Sequence, residues 1–129
     1  MDDLISSYIK KLTEQYPDIN SIWLLGSRAN GTAKDNSDWD LFIFGNERIL
    51  KSLRENLSLQ DDKIDLFIVI NGNDFVSPWT DKQGDLTGWR WKELSPSLAH
   101  YMESKEPTDG TGWYRSEIKT QEAIKLWSK

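Results

Sequence analysis

Two short, nearly identical segments decide how this chain is expected to fold. Asp38–Phe44 reads DWDLFIF and Asp65–Val69 reads DLFIV, so in both an acidic residue precedes an apolar run. Each run has the length of a buried strand. The second of these strands is predicted over Ile64–Ile70, so residues 45–63 lie between the two strands and leave room for a helix and a parallel crossover, much more than a hairpin needs. The predicted helix lies between Asn46 and Leu57.

The preceding residues extend this alternation of helices and strands. Residues 3–16 carry apolar side chains at helical spacing, and Pro17 ends the predicted helix. Ser21–Leu25 is an apolar run that predicts a buried strand. We therefore expect one domain of the α/β (α+β) class, a mixed β-sheet flanked by helices with its core at about residues 20–70.

Residues 71–129 show a looser pattern with many turn-forming residues. Ser95 and Pro96 together resemble the start of a helix, with Ser95 as its N-cap. We expect, in order, a long loop over Asn71–Gly88, a short strand over Trp89–Trp91, a helix from Ser95, a helix over Trp113–Gln121 and a last strand over Ala123–Trp127.

The composition excludes several kinds of site. There is no cysteine and only one histidine, His100, so any metal must be held by oxygen, which favours magnesium, manganese or calcium. The formal charge of −5 argues against a surface that binds long nucleic acid, but not against one that binds a single nucleotide. Without a basic leader or a long apolar run, we expect a cytoplasmic protein that does not enter a membrane.

Three aspartates mark the candidate site. Asp38 and Asp40 are two residues apart on a predicted strand, so their side chains should share one face. If the second strand is a parallel neighbour in register, Asp65 stands beside Asp40 on that face. Two carboxylates about 4 Å apart repel by roughly 4 kcal/mol at an effective dielectric near 20, and a hard divalent cation would offset this repulsion.

A turn that suits a phosphate group follows the first predicted strand. Gly26 allows the backbone to approach a phosphate closely, and the amides of the turn supply hydrogen-bond donors. Ser27 adds a hydroxyl group. Arg28 is explained equally well by a phosphate contact and by a salt bridge that braces a loop carboxylate.

Together, the segments Gly26–Gly31 (GSRANG) and Ser37–Leu41 (SDWDL) resemble the signature of the nucleotidyltransferase superfamily related to DNA polymerase β. The resemblance is strongest to its minimal and antibiotic-modifying members and covers about residues 20–70. It implies transfer of a nucleoside monophosphate from a nucleoside triphosphate, by family habit ATP, to a hydroxyl acceptor, with release of pyrophosphate.

The same resemblance implies a role for each candidate residue. Gly26, Ser27 and, in our interpretation, Arg28 would contact the triphosphate. Asp38 and Asp40 would bind Mg²⁺, or alternatively Mn²⁺. Asp65 would help to ligate metal and to activate the acceptor hydroxyl, which could belong to a small molecule or a protein.

Ordinary structural interpretations stand beside these. Asp38 and Asp40 alone would suit a solvated turn, Asp65 a solvent-exposed strand edge, and Gly26–Ser27 a simple strand-ending turn; their combination favours a site. Among the seven tryptophans, stacking on a substrate ring is less favoured than packing in the core. The tryptophans for which stacking on a base or a substrate ring is considered are Trp79, Trp89 and Trp91.

A second function is compatible with the same residues. Minimal nucleotidyltransferases resemble antitoxins that act on, or simply bind, a toxin encoded beside them. A binding protein of this kind would keep the fold and would have a helical or toxin-like partner protein, with or without catalysis.

Overall fold

A computed structural model describes residues 3–31, 33, 37–102 and 120–129. Within these residues the chain forms three α-helices and eight β-strands, with one short 3₁₀ helix at Leu57–Leu59. The elements are α1 (Asp3–Gln15), β1 (Ser21–Leu25), α2 (Gly26–Asn30), β2 (Trp39–Phe44), α3 (Glu47–Glu55), β3 (Ile64–Val69), β4 (Asp74–Val76), β5 (Gln83–Asp85), β6 (Lys92–Ser95), β7 (Leu98–Met102) and β8 (Thr120–Ser128).

One mixed sheet contains all eight strands, in the order β5-β4-β3-β2-β1-β8-β7-β6. The β2–β3 pair is parallel and in register, with Asp40 opposite Asp65 and Phe44 opposite Val69. Its neighbour β1 is antiparallel to β2, so the C-terminal end of β1 lies beside the N-terminal ends of β2 and β3. The predicted parallel crossover through α3 and the predicted mixed sheet are confirmed.

Both longer helices cover one face of this sheet. α1 buries Ile5 and Leu12, and α3 buries Ile49 and Leu53, against alternate residues of the central strands. The side chain of Asn46 accepts a hydrogen bond from the Ile49 amide at 3.0 Å, which caps the start of α3. The strand residues on this face are Ile22, Leu24, Leu41, Ile43, Ile64, Leu66 and Ile68.

The opposite face is aromatic and concave. Asp85 ends β5 at one edge of the sheet and Lys92 begins β6 at the other. The seven residue steps between them span at most about 25 Å in total. Seven strand spacings would separate these edges by roughly 34 Å in a flat sheet, so the sheet must curl. Trp89 and Trp91 in this connection pack onto Phe42 inside the curl, with ring centroids 5.7 and 5.9 Å away.

The second half of the chain contains more strand than its sequence predicts. The Asn71–Gly88 segment holds β4 and β5, and Trp89–Trp91 lies outside any strand. The helix predicted from Ser95 is wrong, because Ser95 ends β6 and the chain turns back into β7.

A turn explains this error. The Ser97 amide donates a hydrogen bond to the Ser95 hydroxyl at 3.3 Å. Ser95 and Pro96, which would also suit the start of a helix, therefore form a hairpin turn in this chain. Ala99 and Tyr101, two residues apart on β7, both point to the aromatic face, as the alternation of side chains along a strand requires. The predicted last strand is confirmed as part of β8. Residues 113–119 of the helix predicted for Trp113–Gln121 lie outside the described residues. Its last two residues, Thr120 and Gln121, belong to β8.

None of the helices in the described part of the chain has the length and apolar character to cross a bilayer.

The packing of the aromatic face predicts a cost for any side chain at Gly84. A Cβ there would lie 2.5 Å from Cζ of Phe75, which is buried against Phe42 and Trp89 and has no room to move aside. Gly84→Ala should lower the free energy of unfolding by about 1–3 kcal/mol in urea denaturation. Gln83→Ala, an exposed position on the same strand, should change it by less than about 0.5 kcal/mol. Equal midpoints for both variants would contradict the packing described here.

Candidate active site

Two of the three predicted aspartates are adjacent in the sheet. Asp40 and Asp65 are each the second residue of their strand and are paired in register. In-register partners project to the same face, and backbones of neighbouring strands lie about 4.8 Å apart. Both side chains are half-buried and lie on the concave face, as do Phe42 and Phe67 two residues further along. The predicted placement of Asp65 beside Asp40 is confirmed.

Asp38 occupies a different position. It lies one residue before β2, outside the strand, and its side chain is exposed. The strand-based reason for placing it on the face of Asp40 therefore does not apply directly. Its role as a ligand stays a prediction.

Gly26 lies against the carboxylate of Asp40. Leu25, the last residue of β1, pairs with Asp40, and Gly26 then turns the chain with φ of +72°. A Cβ at this position would collide with Oδ2 of Asp40. Glycine is thus required here both by the left-handed backbone and by the approach of the carboxylate. Ser27 follows directly and is half-buried.

Arg28 holds the backbone that leads into β2. Its guanidinium donates two hydrogen bonds to the carbonyl oxygen of Ser37, from Nε at 3.3 Å and from Nη2 at 2.9 Å. The same group lies over the Trp39 ring, 4.5 Å from its centroid. Arg28 therefore braces the loop as one interpretation expected, but through a carbonyl oxygen and not through a carboxylate. The predicted phosphate contact of Arg28 stays a prediction.

Two further residues bond to the Gly26 turn and a third is linked to it through them, and the sequence motif gives a role to none of the three. The Gly26 amide donates to the Tyr101 hydroxyl at 3.0 Å, and Tyr101 in turn donates to Oε1 of Gln121 at 3.1 Å. Asn30 donates from Nδ2 to the Gly26 carbonyl at 2.8 Å. The alternation of Leu98–Met102 could have placed Tyr101 on the inner face of a strand, but no local signal links it to a glycine 75 residues earlier.

The remaining candidates lie away from this turn. His100 points to the outer face of β7, where Nε2 lies 3.7 Å from Oε1 of Glu122 on β8. Trp89 and Trp91 belong to the aromatic core, and Trp79 donates from Nε1 to the Leu53 carbonyl at 2.8 Å on the helical side. The preference for core packing of these tryptophans is confirmed.

The carboxylates suit a hard cation whose remaining ligands come from a substrate. In the part of the chain that the structure describes, no group of three or more histidine, cysteine, aspartate or glutamate side chains could by itself hold a metal ion. Mg²⁺ seldom needs such a group, since it usually binds one or two carboxylates together with substrate phosphates and water. Asp40 and Asp65 fit that mode of binding.

Comparison with known proteins agrees with this geometry. The family model described as Polymerase beta, Nucleotidyltransferase matches residues 7–87, which is more than half of the chain and includes Gly26, Ser27 and the three aspartates. The chain belongs to the nucleotidyltransferase family. The curated proteins include no significant match.

Among solved structures, the chain is similar to a crystal structure of a candidate nucleotidyltransferase from Sulfolobus solfataricus. The identity is 18% and the TM-score 0.46, and the likeness covers 54% of this chain and 66% of that one. This chain thus spans just under two thirds of that protein. Family membership rests on the match to the family model.

The contact between Gly26 and Asp40 yields a test by substitution. Gly26 and Gly31 both have a left-handed backbone, with φ of +72° and +74°, but a Cβ on Gly31 would meet no atom of the described residues within 4 Å. Gly31→Ala should therefore cost only the backbone strain, about 1–2 kcal/mol. Gly26→Ala should cost about 1–3 kcal/mol more in urea denaturation, because Asp40 must move.

A second background isolates the cause of this difference. In Asp40→Ala the colliding oxygen is gone, and the Asp40 Cβ lies at an ordinary contact distance of 3.7 Å from a Gly26 Cβ. The extra cost of Gly26→Ala should then disappear. An extra cost that persists in the Asp40→Ala background would show that the carboxylate is not its source.

Proposed function

We propose that this chain is a Mg²⁺-dependent nucleotidyltransferase, which transfers a nucleoside monophosphate from a nucleoside triphosphate to a hydroxyl acceptor. The observation that supports it most strongly is the in-register pairing of Asp40 and Asp65 beside the Gly26 turn on the concave face. Membership of the nucleotidyltransferase family supports the reaction class.

In this proposal Asp40 and Asp65, joined by Asp38, hold Mg²⁺ (Mn²⁺ is the alternative). When bound, the metal would neutralise phosphate charge and position the oxygens of the in-line displacement. The carboxylates and the triphosphate are all negatively charged, which explains why a cation is needed between them. Two carboxylates and a triphosphate facing each other without a cation would repel strongly.

The chain's own groups then divide the remaining work. Gly26 lets a phosphate approach the backbone closely, Ser27 binds a phosphate oxygen through its amide and its hydroxyl, and Arg28 keeps the backbone before Asp38 in place. Asp65 accepts the proton of the acceptor hydroxyl. The hydroxyl oxygen bonds to the α-phosphorus, the bond from that phosphorus to the bridging oxygen breaks, and pyrophosphate leaves.

The proposed substrates follow from charge and site composition. A net charge of −5 fits a single nucleotide delivered with its metal better than a long nucleic acid. ATP is the triphosphate we propose by family habit, because the proposed roles of Gly26, Ser27 and the aspartates involve phosphate and metal and do not select a base. The acceptor is a hydroxyl of a small molecule or of a partner protein.

Transfer can be measured directly with triphosphates labelled at the α-phosphate. The wild type should transfer label to a suitable acceptor only when Mg²⁺ or Mn²⁺ is added. Asp40→Asn and Asp65→Asn should each reduce the rate at least about a hundredfold, since each removes a metal ligand worth several kcal/mol in the transition state. Asp81→Asn, an exposed position in the 77–82 loop, is the matched control and should leave the rate unchanged.

Two results would contradict this proposal. Transfer at the wild-type rate by Asp40→Asn would show that the carboxylate pair is not the catalytic centre. A partner protein bound equally well by the wild type and both site variants, with no label transferred by any of them, would favour the binding role over catalysis.

A further inference from the structure

The Gly26 turn is held by two side chains, one from the C-terminal strand β7 and one from α2. The Gly26 amide is fixed by the Tyr101 hydroxyl on β7, and its carbonyl by Nδ2 of Asn30. Both of these groups also donate to the same oxygen, Oε1 of Gln121 on β8, at 3.1 Å from Tyr101 and 3.4 Å from Asn30. The four residues form a closed ring of hydrogen bonds around the peptide groups on both sides of Gly26.

A second bond ties this ring to β8. Oδ1 of Asn30 accepts a hydrogen bond from the Glu122 amide at 3.0 Å. Asn30 therefore uses both ends of its side chain, one on the turn and one on the strand. The position of the turn depends on β7 and β8 as well as on β1, which it follows.

Tyr101 is a rigid member of this ring. The residue is 2% exposed, and its ring stacks with Trp89 and Trp91 at centroid distances of 5.5 and 6.3 Å and interplanar angles of 18° and 24°. A phenol packed in this way can rotate its hydroxyl hydrogen but cannot shift its oxygen. The oxygen is a fixed point against which the Gly26 amide is placed.

The carboxylate of Asp40 lies on the other side of the same glycine. Because a Cβ on Gly26 would overlap Oδ2 of Asp40, the two groups are already in contact and have no space between them. A displacement of the turn would therefore change the distance between the proposed phosphate contacts and the proposed metal ligand. This spacing matters because a Mg²⁺-triphosphate must meet both groups at once.

We propose that Tyr101 is a positioning residue of the nucleotide site, which sets the Gly26–Ser27 turn at the correct distance from Asp40 for a Mg²⁺-triphosphate. This inference rests on the proposed function, since it assigns the triphosphate to that turn. It gives the aromatic C-terminal strands a part in substrate binding, although none of their residues belongs to the sequence motif.

Calorimetric titration with Mg²⁺ and a non-hydrolysable ATP analogue tests the proposal. Tyr101→Phe keeps the stacked ring and removes only the hydroxyl, so the affinity for the analogue should fall about tenfold. Gln121→Met should weaken binding in the same direction, and the double variant should be no weaker than Tyr101→Phe alone, because both act through one hydrogen-bond ring.

A tyrosine on the other face of the sheet provides the matched control. Tyr8 is also buried, and its hydroxyl donates to the Leu59 carbonyl at 2.7 Å under the helices. Tyr8→Phe should lower the melting temperature about as much as Tyr101→Phe does, and it should leave the affinity for the analogue unchanged. Equal losses of affinity in Tyr8→Phe and Tyr101→Phe would reduce the role of Tyr101 to stability and overturn the inference.

Hydrogen exchange of the Gly26 amide separates this inference from the proposed function. Exchange, followed by NMR, should become faster in Tyr101→Phe and stay unchanged in Tyr8→Phe. If the wild type binds the analogue but Tyr101→Phe binds it equally well, the inference is overturned and the proposed function stands. If the wild type binds no triphosphate with Mg²⁺ or Mn²⁺, the proposed function is overturned, and the role of Tyr101 in a nucleotide site is overturned with it, whatever the exchange shows.

Discussion

The parallel, in-register pairing of β2 with β3 is the constraint on which the rest of the molecule depends. Successive side chains of a strand alternate between faces, so a slip of one residue would move Asp65 to the face opposite Asp40. It would also place the apolar residues of β3 on the wrong side, away from α1 and α3. The same alternation that buries Leu41 and Leu66 under the helices therefore brings the two acids together on the concave side.

The separation of the two faces explains how an acidic site can exist beside a well-packed core. The helices cover the central strands on one side, and the aromatic residues fill the middle of the other. Asp40 and Asp65 lie where their strands begin, at the margin of the aromatic cluster, so they are half-buried rather than enclosed. Full burial of two neighbouring carboxylates would be far more costly. The pairing of β8 with β1 and of β7 with β8 brings these strands to the same margin, where Tyr101 of β7 meets Gly26 and the Glu122 amide of β8 meets Asn30.

Local patterns were sufficient to predict the first half of the fold and the centre of the site. α1, β1, α3 and the parallel strands follow from hydrophobic spacing and from residues such as Pro17 and Asn46, which act within a few positions of themselves. The pairing of Asp40 with Asp65 followed from the repeated DLF sequence. Each of these signals is carried by residues close together in the chain.

The second half could not be predicted in this way, because its structure is set by distant partners. Ser95 and Pro96 suit a helix start and a hairpin turn equally well, and only the burial of Ala99 and Tyr101 under residues from β2 and from the Trp89–Trp91 segment decides between them. The hydrogen bonds that join Gly26 to Tyr101 and Asn30 to Gln121 likewise cross long stretches of sequence. Tertiary packing overrides local preference in these strands.

A crystal structure of the protein with Mn²⁺ and a non-hydrolysable ATP analogue tests the central claim most directly, because the anomalous signal of manganese locates the metal independently of the surrounding atoms. The account predicts a manganese peak bound by carboxylate oxygens of both Asp40 and Asp65, with the triphosphate on the Gly26–Ser27 turn. A nucleotide and metal bound elsewhere, or a metal that contacts only one of the two strands, would contradict it.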